Sequence, residues 1–203
     1  MSLLFTTFTL KKQGMKIGLY FGSFNPIHTG HLIIANYVAY NTDLDKVWLV
    51  VSPQNPLKPS GSLLNEHTRF HLVELAIKDE PKLRASNIEF SLPRPSFTID
   101  TLTYLGEKFP TQEFTIIMGS DSFKNITRWK NYQQIVKNYP ICVYLRPGHE
   151  VTETYGAHVE ILKAPMLDIS STDIRQYVQE GKPIRYMVPD NVAAYIAENN
   201  YYK

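Results

Sequence analysis

Short apolar runs alternate along the chain with segments in which apolar residues recur at helical spacing. Residues 47–51 are apolar throughout, as expected of a strand that is covered on both faces of a sheet. Further strands are predicted at 16–21, 88–90, 114–118, 141–145 and 159–162. Strands that alternate with helices indicate a parallel sheet. We therefore predict an α/β fold, a doubly wound parallel sheet with helices on both faces.

Capping residues set the expected helix boundaries. We predict helices from about Thr29, over 66–77, from Thr98 as the cap, from Ser170 or Ser171 to Gly181, and from Pro189 to about Asn199. The last two would form a small C-terminal helical part. Residues 52–62 contain three prolines and Gly61, and this composition predicts a loop.

Length and composition indicate one globular domain. The chain has 203 residues, of which 43% are hydrophobic and 20% charged. We assign the domain to residues 15–203 and expect residues 1–14 to be a poorly ordered extension. In a secretory signal, positive charges precede the apolar stretch, and this extension does not have that order. No apolar run approaches the ~18 residues of a membrane span, so we expect a cytoplasmic protein without a membrane partner.

The charge balance argues against nucleic acid as a partner. The 21 Lys and Arg residues against 19 Asp and Glu leave a net charge of +2, which gives no basic footprint. The single cysteine, Cys142, lies in an apolar run and is predicted to be a buried structural thiol. The sequence leaves open whether the chain forms a homo-oligomer.

A glycine-containing loop with two histidines follows the first predicted strand. Gly22 and Ser23 offer backbone N–H groups at the carboxyl end of that strand, where open α/β sheets bind ligands. The helix that begins near Thr29 adds the positive end of its dipole. His28 and His31 are spaced i,i+3 and lie on one side of its first turn. Two imidazoles there can stabilise charge on phosphate oxygens, whereas a zinc site lacks a third ligand.

A second candidate for phosphate binding begins the helix at Ser170 or Ser171. The hydroxyl groups of this segment lie next to free N–H groups at a helix start, and Arg175 can pair with phosphate oxygens in a fork. Asp173 favours the helix dipole but would repel a phosphate, so we expect it to point away. Taken alone, the segment is also an ordinary helix N-cap.

Together the two segments resemble the (T/H)xGH and ISSTxIR signatures of the adenylyltransferase and cytidylyltransferase superfamily. The resemblance implies a Rossmann-like fold in which His28 and His31 are catalytic, bind the ATP phosphates and stabilise the pentacoordinate α-phosphorus. The ATP-binding residues that it implies are Gly22, Ser23, Phe24, His28, His31, Arg146, Ile169, Ser170, Ser171, Thr172 and Arg175. Where the superfamily usually has an acid in its Phe-Asp-Pro triplet, this chain has Asn25.

Segments in the middle of the chain are similar to those of nicotinate mononucleotide adenylyltransferases. They are the Pro-rich loop 53–58, residues 95–102, the strand end 119–121, the pair 128–129 and the triplet Arg-Pro-Gly at 146–148. In that family a Lys approaches the acceptor phosphate, an Asp binds the ribose hydroxyls and a Trp stacks on the pyridine ring. The mononucleotide-binding residues implied here are Asn25, Lys58, Phe97, Thr98, Asp121 and Trp129. The usual His before the Lys is replaced by Leu57.

This resemblance implies transfer of AMP from ATP to nicotinate mononucleotide, giving deamido-NAD and pyrophosphate in NAD biosynthesis. Mg²⁺ would be carried by the ATP phosphates, with no metal site built from protein ligands. Two alternatives stay open: an enzyme like pantetheine-phosphate adenylyltransferase, and a non-catalytic nucleotide sensor on the same fold. The preference for nicotinate over nicotinamide mononucleotide is also open. A dehydrogenase or a P-loop kinase is excluded, since neither glycine-rich fingerprint follows the first strand.

Overall fold

The structure, a computed structural model, describes residues 14–54 and 63–203. Its strands are β1 (Lys16–Gly22), β2 (Lys46–Val51), β3 (Leu83–Ser86), β4 (Glu113–Gly119), β5 (Ile141–Tyr144) and β6 (Val159–Leu162). Its helices are α1 (Thr29–Asn41), α2 (Glu66–Ala76), α3 (Thr98–Lys108), α4 (Ser120–Phe123), α5 (Tyr132–Asn138), α6 (Ser171–Gln179) and α7 (Asp190–Glu198). None of these helices combines the length and the apolar character that crossing a bilayer requires.

Within the described residues, the strands form one parallel sheet in the order β3-β2-β1-β4-β5-β6. The chain begins in the middle of the sheet, builds outward to β3, and then returns to the other side of β1. The strand order therefore reverses between β1 and β4. Ligands of α/β sheets bind outside the carboxyl ends of the strands at such a reversal. The predicted doubly wound α/β fold is confirmed.

Side chains of each strand alternate between two apolar layers. In β2, Val47 and Leu49 join one layer, whereas Trp48 and Val50 join the other. Helices α1, α2, α6 and α7 complete the first layer, and α3, α4 and α5 complete the second. Cys142 is buried in the first layer, as predicted. Because both faces of the sheet are covered, the strand ends are left as the place where polar groups can meet a ligand.

The predicted strand at 88–90 is wrong. Residues Ile88–Ser91 form a 3-10 turn, in which the Phe90 N–H donates to the Asn87 carbonyl at 2.9 Å. The edge strand is β3, which precedes this turn. Apolar residues at alternate positions over three residues fit a strand or a turn equally well, and the β3 sequence Leu-Arg-Ala-Ser is too polar to signal a strand.

The prediction of Thr98 as a helix cap is also wrong, by one residue. Phe97 is the N-cap of α3, and its carbonyl accepts the N–H groups of Asp100 and Thr101 at 2.9 and 3.2 Å. The pattern favours Thr98 because a hydroxyl usually caps a helix. Here the chain enters the helix through the Phe97 carbonyl, and Thr98 is the first helical residue.

The C-terminal helices follow the prediction closely. Helix α6 begins after Ser170, its N-cap, and the chain reverses just beyond it at Gly181, where φ is +67°. A positive φ favours glycine because it has no Cβ. Pro189 is the N-cap of α7 and not its first helical residue, which corrects the prediction by one position.

Candidate active site

The loop between β1 and α1 brings two histidine rings together. His28 is the N-cap of α1, and its Nδ1 accepts the His31 N–H at 3.4 Å. The two rings stack with their centroids 3.6 Å apart and their planes 29° apart. Both imidazoles therefore stand at the N-terminus of α1, where the helix dipole attracts anions.

Close packing around these rings explains two glycines of the loop. A Cβ at Gly30 would lie 3.1 Å from Cε1 and Nδ1 of the His28 ring, and a Cβ at Gly22 would lie 2.8 Å from the Phe24 ring. Phe24 is 2% exposed, and its ring packs edge-on against His31 with centroids 5.1 Å apart. Since the ring supports the loop from the interior, Phe24 has its backbone to offer a nucleotide.

The environment of His28 keeps its imidazole neutral. The side chain is 6% exposed, and burial together with the nearby positive charge of Arg146 lowers the pKa of His28 to about 4. Because Nδ1 accepts a hydrogen bond, the neutral ring carries its proton on Nε2. The imidazole can therefore donate a hydrogen bond at neutral pH without bearing a charge.

The N-terminus of α6 is tied directly to the histidine loop. Ser171 Oγ donates to the Pro26 carbonyl at 2.9 Å, and Arg175 Nη1 donates to the Asn25 carbonyl at 2.8 Å. Arg175 Nη2 lies 3.3 Å from Thr172 Oγ1. Two segments at opposite ends of the chain thus form one surface with two helix N-termini.

Ser170 and Asp173 cap α6 reciprocally. Ser170 Oγ accepts the Asp173 N–H at 3.2 Å and donates to the Asp173 carboxylate at 2.6 Å. The Ser170 hydroxyl therefore holds the Asp173 carboxylate at the N-terminus of α6, and its orientation relative to a bound phosphate stays a prediction. The N–H groups of Ser171 and Thr172 remain at the helix end, as the first N–H groups of any α-helix do.

Side chains at the ends of β4 and β5 lie beside the loop. The Arg146 N–H donates to Ser120 Oγ at 2.9 Å, and Arg146 Nε lies 3.5 Å from Asp121 Oδ1. The hydroxyl oxygens of Tyr20 and Tyr144 are 3.4 Å apart and buried. A residue expected to bind ATP, Arg146, is thus paired with one expected to bind the acceptor ribose, Asp121.

The start of α3 contacts Lys130, the residue that follows Trp129. Lys130 Nζ is 2.9 Å from the Asp100 carboxylate and 4.8 Å from the centre of the Phe97 ring. Trp129, next to Lys130, is half-buried against the second apolar layer. Phe97 has no polar side-chain atom with which to cap α3, so the first N–H groups of that helix form an electropositive end.

A buried arginine holds the loops on one side of the site. Arg69 is 0% exposed and donates to the carbonyls of Ser23, Ser52, Pro53 and Leu64 at 2.6, 2.8, 2.8 and 2.8 Å. These carbonyls belong to the ends of β1 and β2 and to the segment before α2. One guanidinium therefore fixes the histidine loop relative to the chain that leaves β2.

A buried carboxyl group holds the start of α3. Glu89 is 2% exposed, and it accepts from Ser96 Oγ at 2.9 Å and from Thr101 Oγ1 at 2.8 Å. Burial raises the pKa of Glu89 above its ordinary value. Since the two hydroxyl donors flank Phe97 and Thr98, the segment between them is fixed at both ends.

Comparison with known proteins identifies the family. Residues 19–177 match the model of the cytidylyltransferase-like family. The probable nicotinate-nucleotide adenylyltransferase of Flavobacterium psychrophilum is 50% identical over 192 residues, which cover 93% of this chain and 100% of that protein. The corresponding protein of Cytophaga hutchinsonii is 52% identical over 189 residues, 93% of this chain and 98% of its own. The chain belongs to the nicotinate-nucleotide adenylyltransferase family.

Solved structures agree with this family in their fold. Nicotinic acid mononucleotide adenylyltransferase of Plasmodium falciparum, solved in complex with NaAD, aligns with a TM-score of 0.80 at 21% identity over 93% of this chain and 97% of that chain. A putative nicotinate-nucleotide adenylyltransferase of Vibrio parahaemolyticus gives a TM-score of 0.69 at 23% identity, over 93% and 95% of the two chains. The shared feature is the parallel sheet with its flanking helices.

As a member of the nicotinate-nucleotide adenylyltransferase family, the chain places the expected residues as follows. At the strand ends or on the adjoining helix starts lie Gly22, Ser23, Phe24, Asn25, His28, His31, Phe97, Thr98, Asp121, Arg146, Ile169, Ser170, Ser171, Thr172 and Arg175. Trp129 follows the 3-10 turn Ile126–Arg128. Lys58 and Leu57 lie outside the described residues, as do residues 1–13. The roles of the expected residues toward ligands stay predictions.

Sequence reasoning misses Arg69, Glu89 and Lys130 as supports of this family's site. Arg69 precedes Leu72 and Val73 at i,i+3 and i,i+4, which puts a charge on the buried face of α2. Glu89 stands between the apolar residues Ile88 and Phe90. In both places the sequence signal is a charged residue at a position that the pattern assigns to the core. No such signal marks Lys130.

Proposed function

We infer that the protein transfers AMP from ATP to nicotinate mononucleotide, forming deamido-NAD and pyrophosphate. The observation that carries this inference is the junction of the two phosphate-binding segments. Ser171 and Arg175 donate to the carbonyls of Pro26 and Asn25, two and three positions before His28. Two helix N-termini and two imidazoles thus face one region at the reversal of strand order, an arrangement suited to a triphosphate.

The acceptor phosphate of the mononucleotide is already anionic at pH 7, so the reaction needs no general base. One of its oxygens attacks the α-phosphorus of ATP, and the bond from that phosphorus to the bridging oxygen breaks on the opposite side. Pyrophosphate leaves with the electron pair of that bond. The protein has to hold the two phosphates in line and to stabilise charge on the non-bridging oxygens.

His28 and His31 supply hydrogen-bond donors to the α-phosphate. The neutral His28 ring directs Nε2–H away from the Nδ1 that accepts the His31 N–H. It can donate to an oxygen that gains charge in the transition state while its proton stays on the ring. The low pKa of His28 matches this role, because a neutral donor binds the phosphate less tightly than a cation would.

The start of α6 stabilises the leaving pyrophosphate. The N–H groups of Ser171 and Thr172 and the Thr172 hydroxyl are assigned to the β- and γ-phosphates, because the Ser170 and Ser171 hydroxyls already donate to Asp173 and Pro26. Arg175 keeps Nη1 on the Asn25 carbonyl, while the 3.3 Å contact from Nη2 to Thr172 Oγ1 is long enough for a phosphate oxygen to replace it. The same residue therefore holds the loop and binds the phosphates.

Mg²⁺ enters this scheme on the ATP phosphates. In residues 14–54 and 63–203, no three His, Cys, Asp or Glu side chains are grouped so that they could hold a metal ion. The side chains that surround the phosphate region are mainly hydrogen-bond donors, and Mg²⁺ is commonly bound through substrate phosphates. Once bound, Mg²⁺ neutralises part of the triphosphate charge.

The acceptor base lies between the start of α3 and Trp129. The N–H groups at the start of α3, where Lys130 balances the Asp100 carboxylate, favour the carboxylate of nicotinate over the neutral amide of nicotinamide. Stacking of Trp129 on the pyridine ring contributes about 1 kcal/mol. Asp121 takes the ribose hydroxyls, and Lys58 takes the acceptor phosphate.

A pyrophosphate-release assay tests this function. The purified protein is supplied with ATP and Mg²⁺ and with nicotinate mononucleotide, nicotinamide mononucleotide or phosphopantetheine in turn. We expect rapid release with the first acceptor and much slower release with the second. Release with phosphopantetheine alone would replace the acceptor assignment, and no release with any acceptor would favour the nucleotide sensor.

A further inference from the structure

The end of the chain turns back toward the histidine loop. After α7, the N–H groups of Asn200 and Tyr201 donate to carbonyls of the last helical turn at 3.2 and 3.1 Å. Asn200 and Tyr202 have φ values of +54° and +66°, in a backbone region that residues other than glycine rarely adopt. Two such residues in the last four redirect the backbone, so that the Tyr202 ring packs against the first apolar layer.

Tyr202 reaches Asn25 across the whole sequence. Its hydroxyl donates to Asn25 Oδ1 at 2.9 Å. The same oxygen accepts the Leu64 N–H at 3.2 Å, and Asn25 is 5% exposed. Burial raises the pKa of Tyr202 above its ordinary value, so the hydroxyl keeps its proton at neutral pH and acts as the donor.

Asn25 is the residue at which three parts of the site meet. Its carbonyl accepts from Arg175 at the start of α6, and its side chain accepts from Leu64, next to the residues that precede α2. It lies three positions before His28 in the loop. A shift of Asn25 would therefore move the imidazole, the α6 contact and the chain at Leu64 together.

We propose that Tyr202 is a positioning residue for adenylyl transfer, which fixes Asn25 and through it the histidine loop. The inference rests on the proposed function, since it assigns a support to the same site. Tyr202 touches no reacting atom. Its hydroxyl donates one of the hydrogen bonds to the buried Asn25 Oδ1, and loss of that bond loosens the loop. Small displacements of catalytic groups lower the rate more than they weaken binding.

The test compares two single-hydroxyl deletions. Tyr202→Phe removes the donor to Asn25, whereas the control Tyr201→Phe removes the hydroxyl of a ring that lies 6.0 Å from the Tyr195 ring and leaves Asn25 untouched. We expect Tyr202→Phe to lower kcat roughly three- to tenfold, the scale of one neutral hydrogen bond. KM for ATP and for the mononucleotide should stay within about twofold. The control should keep the kcat of the wild type.

A double-mutant cycle with Asn25→Ala separates positioning from packing. If Tyr202 acts through Asn25, its loss should change kcat little once the Asn25 side chain is gone. A kcat of Tyr202→Phe equal to that of the control, or an unchanged effect in the Asn25→Ala background, would overturn the proposal. A wild-type protein inactive with nicotinate mononucleotide would instead overturn the proposed function, so the two failures are distinct.

Discussion

Arg69→Met tests how much of the fold's stability depends on one buried guanidinium. Methionine keeps the unbranched apolar stem of the side chain but offers no donor to the four carbonyls that Arg69 binds. A buried carbonyl left without a donor costs about 1–3 kcal/mol. The variant no longer buries a charge, which returns several kcal/mol. With about 2 kcal/mol lost for each carbonyl and about 4 kcal/mol returned by the charge, the net loss in the free energy of unfolding is about 4 kcal/mol.

Urea denaturation followed by far-UV circular dichroism measures this loss. With a slope of about 2 kcal/mol per molar urea, the midpoint should fall by about 2 M. Arg84→Met is the matched control, because Arg84 is exposed and contacts the Trp48 ring at 4.9 Å. The control should lose less than about 1 kcal/mol. A loss below 1 kcal/mol for Arg69→Met would refute the assignment of the guanidinium as the anchor of these loops.

Four further experiments address the site. His31→Ala should lower kcat by roughly 10²–10³ with little change in KM for the mononucleotide, and near-normal turnover in steady-state assays would remove its catalytic role. Trp129→Ala should weaken mononucleotide binding far more than ATP binding in calorimetry, and equal losses would assign the ring to packing. The pKa of His28 is lowered to about 4 in the folded protein, against ~6.5 in the unfolded chain. As pH falls from about 6.5 to about 4, the free energy of unfolding of the wild type should therefore decrease relative to that of His28→Gln. Parallel curves of unfolding free energy against pH would contradict this. The pKa of Glu89 is raised from 4.5 in the folded protein, so above pH 4.5 the unfolded chain loses its proton more readily than the folded protein does. The melting temperature of Glu89→Gln should therefore rise relative to that of the wild type as pH rises above 4.5. A relative fall would count against the burial argument.

Local pattern was sufficient for the central strands because the sheet is buried on both faces. A strand such as 47–51 has to be apolar throughout, and the loop of Gly22 to His31 has to follow a strand for its N–H groups to face a ligand. The edge strand β3 escapes the same reasoning. It is covered less completely, so its Arg84 is exposed and the apolar signal is lost.

The supports of the site depend on contacts that no local pattern encodes. The loop and α6 could each be assigned as phosphate-binding from their residues, but the Arg175 bond to Asn25 joins positions 150 residues apart. The Tyr202 bond to Asn25 spans 177 residues. A tyrosine near a chain end is ordinary in composition, and it becomes informative once the fold has placed it beside a buried amide.

The uniform direction of the strands has a practical consequence for labelling. Because the strands are parallel, the site residues that the structure describes lie on the side of their carboxyl ends, and none of them lies in a described connection at the opposite ends of the strands. The turn at 78–82, between α2 and β3, lies at the amino ends of the strands, and Lys78 and Asp79 there are exposed. A short insertion or a fluorophore at this turn should leave turnover unchanged and still report unfolding. The protein thus offers a handle for immobilisation or single-molecule work on the side away from its chemistry.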